Sequence, residues 1–432
     1  MKSLFRSSKT LSSIGYGLME KMVEIVLGFL TAIIVTRFLP RDEYGILSYI
    51  AGIMVIINTI NISPENFIYR INSTIRSDSV KLSKIISSFY IFNILKGVAI
   101  LLFSIFLGVV LWINNDQSVY FFVMLFSGLS FLINQISTVI RVFFEVEYRQ
   151  RAITRIFLIA KLTRLLLTLI VILLPSIYII VIRDFIFIMI QSILLTYVFK
   201  RDYKFNLLSE KVRDSLRIST RSIYEYSLWT HLNGVMTSYI YGIDPFILGF
   251  FVSMNVIGNY SIALSSSNYL ILLFQVLQKN TSIALSYVDN VRKENIITSR
   301  FLFYSIVFSI VQCLFFIIFG RYYLSFFVSD SIPEIYSYFV NIVIGVSIVN
   351  CIRPISSYLI LKYDAKKFFL FCTLPTGIST LIVYFIFAQN WGALGIAQAN
   401  IVSYSLWAVM QIFLLTKTNF KLNFHVFKST YN

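Results

Sequence analysis

Two pairs of neighbouring residues carry most of the chemical potential of this 432-residue sequence: Asp244-Pro245 and Arg353-Pro354, each set in an otherwise apolar stretch. A carboxylate or guanidinium among apolar neighbours must be paired, hydrated or neutralised, because burying it bare is costly. Arg353 has no acidic residue within a helical turn, and the fork of its guanidinium fits phosphate, which makes it a candidate anion site. Asp244 could pair with it structurally or take part in proton or sodium coupling. Proline removes a backbone donor and frees the carbonyl four residues earlier, here those of Tyr241 and Asn350. A helix broken beside a charge is a way to build a midplane ion or substrate site, and Pro245 and Pro354 are candidate hinges; packing kinks are the plain alternative.

Polar residues recur around these pairs at helical spacing. Thr230, Asn233, Thr237, Tyr241 and Asp244 form one stripe at intervals of three or four, as do Ser347, Asn350, Arg353 and Ser357. A third runs through Ser13, Gly17, Glu20, Glu24, Gly28 and Thr31, with Lys21 within reach of Glu24. A fourth, Ser261, Ser265, Asn268, Gln275 and Lys279, is interrupted by Leu272. Such stripes on apolar helices are expected to face a hydrated cavity between bundles, although Glu20, Lys21 and Glu24 could equally be a self-neutralising set. Lys96 falls roughly 16 Å inside its helix by the helical rise. Lys161, Arg164 and Lys279 read as cations reaching for a helix end, and Arg183 and Asp184 as residues with interhelical partners. Cys313, Cys351 and Cys372 lack metal-ligand spacing and His231 and His425 stand apart, so no metal site or cofactor is expected.

The elements that must position these residues are membrane helices. The chain is 57% hydrophobic and 13% charged, far from a soluble composition, with 17% aromatic residues. Its apolar blocks are about 20 residues long, enough for a helix to cross the bilayer. Helices are expected at 14–38, 45–62, 85–112, 118–142, 155–174 and 177–198, then at 223–251, 257–278, 299–319, 336–361, 368–388 and 395–416. The expected fold is thus all-α and integral to the membrane: an N-terminal six-helix bundle (1–200), a basic cytoplasmic linker (201–222) and a C-terminal six-helix bundle (223–432). The charge before the first block is not followed by a cleavage site, so that block is read as a helix rather than a signal peptide.

The net charge of +17 is spent on alternate loops. Arg70, Arg76, Lys81 and Lys84, then Arg149, Arg151 and Arg155, then the linker, then Arg292, Lys293 and Arg300, then Lys362, Lys366 and Lys367, and finally Lys417, Lys421 and Lys428 fall on one side. Little more than Arg41 and Arg321 falls on the other. This places both termini in the cytoplasm and accounts for the charge without nucleic acid. Gly45 and Gly258 follow the first helix of each half in similar surroundings, pointing to a parallel repeat related by an axis along the membrane normal.

Thr36-Arg37-Phe38-Leu39-Pro40-Arg41-Asp42-Glu43-Tyr44-Gly45, together with Tyr241-Gly-Ile-Asp244-Pro-Phe-Ile-Leu-Gly249 and Val256-Ile-Gly258-Asn-Tyr260, resembles the O-antigen and polysaccharide flippase branch of the multidrug/oligosaccharidyl-lipid/polysaccharide exporter superfamily. Pro40 stands where many members have glycine. The resemblance implies two six-helix bundles around a cationic cavity in a bacterial inner membrane. The implied cargo is a polyprenyl-diphosphate-linked oligosaccharide, moved by alternating access without bond making. On that reading Lys21, Lys96 and Arg353 attract the diphosphate, and Asn350, Asn233 and Tyr241 meet diphosphate or sugar. Glu24 and Asp244 couple an ion, and polysaccharide assembly proteins are possible partners of the linker. The alternatives are a drug or metabolite exporter of the same fold and, less favoured for want of a large outer loop, a membrane polysaccharide polymerase.

Overall fold

The computed structural model describes residues 8–64, 67–68, 78–147, 149–203, 206–286, 288, 290–329, 332–418 and 420–421. Arg70, Arg76, His425 and Lys428 lie outside them, as does the side chain of Lys279. The described chain is helical throughout, and no strand occurs among the described residues.

The first half comprises α1 (Ser8–Phe38), α2 (Arg41–Ile57), α3 (Ser79–Asn115), α4 (Ser118–Val146), α5 (Gln150–Leu173) and α6 (Ile177–Asp202). The linker folds into α7 (Val212–Ser222) and passes through a π-helical turn (Ile223–Ser227) into α8 (Leu228–Gly242). The second half continues with α9 (Asp244–Leu248), α10 (Met254–Ser286), α11 (Val291–Leu324), α12 (Ile332–Tyr358), α13 (Ala365–Phe368) and α14 (Leu374–Thr416). The last is two helices merged across Gly392, whose φ of +56° breaks the rod. With its two arms counted separately, α8 and α9 taken as one broken helix, and the short α7 and α13 set aside, the described residues hold six long helices in each half of the sequence, as the apolar blocks lead one to expect. Eight of the described helical stretches meet both the length and the hydropathy of a membrane crossing.

Helix boundaries follow capping chemistry. Asp78 accepts from the Val80 and Lys81 amides at 3.1 Å each and starts α3. Asn290 does the same for α11 through Arg292 at 2.9 Å, and Asp364 for α13 through Lys366 at 2.8 Å. Between the caps the pattern is inside out relative to a soluble helix. On α11, Phe308, Val311, Phe315 and Ile318 are exposed while Ser305 and Ser309 are fully buried, and Ser309 donates to the Ser347 carbonyl at 2.6 Å. Lipid offers no hydrophobic drive between helices, so small polar residues form the interface and large apolar ones face outward.

The contacts divide the chain into two units, Met1–Pro40 with Ile57–His231, and Arg41–Ile56 with Leu232–Asn432. Most of α2 thus groups with the second half of the sequence, although the sequence reading assigns residues 1–200 to one bundle. The cause is a reciprocal close approach. A Cβ on Gly45 would overlap the carbonyl of Met254, the first residue of α10, and a Cβ on Gly258 would overlap that of Arg41, the first residue of α2. Each glycine stands four residues into its helix and touches the other helix's first residue. Tyr44 shares a 2.9 Å hydrogen bond with Ser265, and the Tyr49 ring stacks on Phe246 at 5.8 Å, extending the same contact. The two glycines that mark the sequence repeat are therefore equivalent in position as well as in spacing.

Within the first unit, an apolar cluster gathers Ile86 and Phe89 of α3, Phe143 and Phe144 of α4, Ile153 and Ile156 of α5, and Phe199 of α6. Leu207 joins it from the segment ahead of α7.

Candidate functional site

Asp244 is 1% exposed and occupies the break between α8 and α9. Helix α8 ends at Gly242, and Pro245 lies in the first turn of the new helix, where its missing N–H costs nothing. The helix is broken beside the charge, as a stop and a restart rather than a kink within one helix, because Asp244-Pro245 is a good helix start. The Tyr260 hydroxyl donates to Oδ2 of Asp244, and Asn400 donates to the Tyr260 oxygen at 3.0 Å. Tyr384 donates to Oδ1 of Asn400 at 2.5 Å and lies 3.1 Å from the Ile240 carbonyl. Donors are thus chained toward one carboxylate oxygen, while Oδ1 of Asp244 is buried without a partner. Among the described residues Asp244 makes no ion pair.

Arg353 lies on α12, ahead of Pro354, which does sit inside its helix; a π-helical turn (Leu359–Tyr363) follows five residues later. Arg353 as a whole is 7% exposed. Its Nε donates to Oδ1 of Asn350 at 3.0 Å and its Nη1 to Oε1 of Gln278 at 2.8 Å. Asn350 in turn faces Gln312 at 3.4 Å, and Gln312 donates to the Leu270 carbonyl at 3.2 Å. Amides from α10, α11 and α12 therefore cradle the cation, and among the described residues no carboxylate neutralises it. The arrangement leaves a buried positive charge available to an anion.

Tyr241 stands three residues ahead of Asp244, near the end of α8. Its ring is 5.4 Å from Tyr404 and 5.5 Å from Trp407, and the charge of Arg353 bears on the hydroxyls of both Tyr241 and Tyr404. The Tyr241 hydroxyl, Nε1 of Trp407 and Nε2 of Gln411 are buried and unpartnered. Asn233, by contrast, is engaged in tying helices. It donates to the Ala365 carbonyl at 3.1 Å and accepts from Thr373 at 2.8 Å.

The remaining candidates lie in the first unit. Lys21 and Glu24 form an i,i+3 pair at 2.5 Å, both partly exposed. Glu20 is held separately by Arg141 at 3.3 Å and by Gln150. Lys96 donates to the Ile62 carbonyl at 3.0 Å, and His231 contacts the Thr59 carbonyl at 2.9 Å, so both side chains cap the end of the α2 segment. Lys161 reads differently from the sequence expectation. It stands eleven residues into α5, between the rings of Phe157 and Phe187 at 5.1 Å each, while Arg164 pairs with Asp184 at 2.8 Å. Its depth and its aromatic neighbours replace the expected reach toward a helix end.

The family model for polysaccharide biosynthesis proteins matches residues 10–266, more than half of the chain. The chain belongs to that family. No curated protein matches it. Among solved structures, this polysaccharide biosynthesis protein is similar to the lipid II flippase MurJ in an inward closed conformation. The identity is 14% over 94% of this chain and 87% of that one, with a TM-score of 0.71. It is similar also to the inward-facing conformation of a multidrug resistance MATE family transporter of the MOP superfamily, at 14% identity over 92% and 96% of the two chains and a TM-score of 0.70. At such identity the likeness is one of fold, and it agrees with the two-repeat, all-helical membrane architecture.

For this family member, sequence reasoning named Asp244, Arg353, Asn350 and Tyr241 as candidates but not the groups that contact them. Tyr260, Tyr384, Asn400 and Tyr404 surround the carboxylate, and Gln278 and Gln312 complete the arginine cradle. The i,i+4 pair Asn400 and Tyr404 in an apolar helix is a signal that could have pointed to the first group. Gln278 lies three residues beyond Gln275, the polar position that had been singled out on α10.

Proposed function

We propose that this protein is a flippase that moves polyprenyl-diphosphate-linked oligosaccharide units, of O-antigen or a related surface polysaccharide, across the bacterial cytoplasmic membrane by alternating access. The observation that carries the reading is Arg353, a buried guanidinium held by neutral amides and lacking a carboxylate counter-ion among the described residues. A diphosphate supplies the missing charge in a bidentate geometry. Tyr241, Trp407 and the amide of Gln411 offer aromatic faces and donors suited to sugar. In the first unit Lys21 and Lys96 add positive charge, though each is already engaged, so we assign them to attracting the headgroup rather than to closing on it. Asn233 holds α8 against α13 and has the smaller role at the cargo.

Asp244 is the coupling group in this scheme, with Glu24 as its counterpart in the first unit. Oδ2 is fixed by Tyr260, and the open Oδ1 takes a proton or sodium ion. Occupancy then decides whether a net charge sits in the apolar interior, which is the energetic lever a carrier needs to return empty. The break at Ile243 and the proline at 354 are the bending points. Both termini face the cytoplasm on the charge distribution, and no bond is made or broken.

The fold is equally that of a multidrug transporter, and a drug or metabolite cargo is the second reading. Deleting the gene in its host and analysing lipid-linked oligosaccharides separates the two. A flippase predicts loss of surface polymer, with single repeat units held on the carrier lipid at the cytoplasmic face. An unchanged surface with altered drug sensitivity selects the exporter. Single units displayed outside select a polymerase. Within the first outcome, Arg353→Ala should abolish export while the protein still inserts; normal export would sink the assignment.

A further inference from the structure

Helix α7 carries three different faces. Ser215, Ser219 and Ser222 are buried, and Ile218 is packed with the core of the first unit. This face lies on α3: Ser219 donates to the Ser88 carbonyl at 3.5 Å, Ser87 donates to the Leu207 carbonyl at 3.0 Å, and Lys84 pairs with Glu210 at 3.7 Å. Beside it, Val212 and Leu216 are exposed on one line, continued backward by exposed Leu208. At 3.6 residues per turn, Arg213, Arg217 and Arg221 form the next line, roughly 100–140° around the helix from the first, and all three are exposed. Tyr224 is 77% exposed at the end of the run. Asp214 is the acidic residue of this helix, and Glu210 is already turned to Lys84.

A basic stripe alone is a solvated surface, and an apolar stripe alone is an unexplained one. Side by side on a helix already anchored by its third face, they match the two parts of a phospholipid. The anchor lies at residues 84–88 of α3, which begins at Ser79, so the site sits within the first turns of a membrane-crossing helix, at the level where headgroups are found.

We propose that the exposed side of α7 is a binding site for anionic phospholipid of the surrounding leaflet, with acyl chain along Leu208, Val212 and Leu216 and headgroup phosphate on Arg213 and Arg217. The site is distinct from the proposed cargo site and does not depend on that reading. Because α7 runs through the π-helical turn directly into α8, which ends next to Asp244, lipid held here stabilises the start of the helix that carries Tyr241.

The test uses the full-length protein purified and reconstituted in nanodiscs of phosphatidylcholine with and without phosphatidylglycerol, with retained lipid counted by native mass spectrometry. Wild type is expected to retain phosphatidylglycerol selectively. Arg213→Gln with Arg217→Gln should weaken that preference roughly 30-fold, the factor corresponding to about 1 kcal/mol for each surface arginine. Arg292→Gln with Lys293→Gln, elsewhere on the same basic side, should leave it unchanged. Retention unaffected by the α7 pair, or equally lost in the control pair, overturns the proposal. So does retention of added polyprenyl diphosphate but not phosphatidylglycerol, which would make α7 part of cargo capture, or retention of neither lipid, which would leave the face to a protein. If the arginine variant does not fold, a nitroxide at Thr220→Cys in the wild-type background decides. Oxygen accessibility above that of a water-exposed label supports the site, and a purely aqueous signature refutes it.

Discussion

Arg353 and Asp244 meet the same problem, a formal charge in an apolar interior, by different means. Arg353 is solvated by the side-chain amides of Asn350 and Gln278, whereas Asp244 receives one tyrosine hydroxyl and keeps an oxygen open. Arg353→Lys should retain insertion but lose most transport, because an ammonium cannot reach Asn350 and Gln278 and a diphosphate with the same planar fork. A transport assay on vesicles checks this, and full activity would show that charge alone suffices. Asp244→Asn should abolish dependence of transport on the ion gradient while cargo binding persists, read by binding and flux in the same preparation. Tyr260→Phe removes the donor to Oδ2 and is expected to lower stability by about 1–3 kcal/mol, visible as a fall in Tm. At the surface, the Lys81 amide, helped by its ammonium and the Val80 amide, holds the Asp78 carboxyl below its ordinary value of 3.8. Its folded-state value is the lower one, so its contribution is complete above the unfolded carboxylate's pKa and fades as pH falls through the folded one. The Tm difference between wild type and Asp78→Asn should therefore be largest at neutral pH and close in acid. The charged residues were legible in the sequence because each interrupts an apolar run. Their partners were not, since Tyr260, Tyr384 and Tyr404 look like ordinary membrane aromatics until the fold brings them to one carboxylate.

Helices α2 and α10 show what composition conveys at the scale of the element and what it does not. Block length alone locates Phe38, Ser118 and Ile177 as helix ends but misses others, such as Ser286 and Val291, by up to eight residues, because helices run on past the apolar block to polar caps such as Asn290. Block length and cap are both local signals. The restart at Asp244 and the π-helical turns at Ile223–Ser227 and Phe369–Thr373 are not local in that sense, because only packing decides whether a helix tightens, widens or stops. The repeat glycines lie between these cases: the sequence shows that they correspond, and the structure shows that they touch each other's helix starts. Gly45→Val or Gly258→Val should be far more damaging than Gly234→Val, because a Cβ at the first two meets backbone while one on Gly234 meets nothing within 4 Å. Overpacking of this kind costs about 1–3 kcal/mol or more. Thermal unfolding in detergent ranks the three, and equal Tm values would contradict the close approach.

For the molecule as a whole, the division of contacts means that most of α2 packs with residues encoded much later in the chain. Gly45 and Met254 are 209 positions apart (254 minus 45). At a synthesis rate of about 5–20 residues per second, the first of these helices waits roughly 10–40 s in the membrane before its partner is made. In that interval the Gly45 side of α2, which Met254 later covers, stands open to any other nascent helix. Biogenesis of this protein should therefore be more sensitive to slowed translation between codons 57 and 254 than its finished stability would suggest. An early stop after His231 should leave a fragment that quality-control proteases recognise through α2, and co-expression of residues 232–432 should protect it.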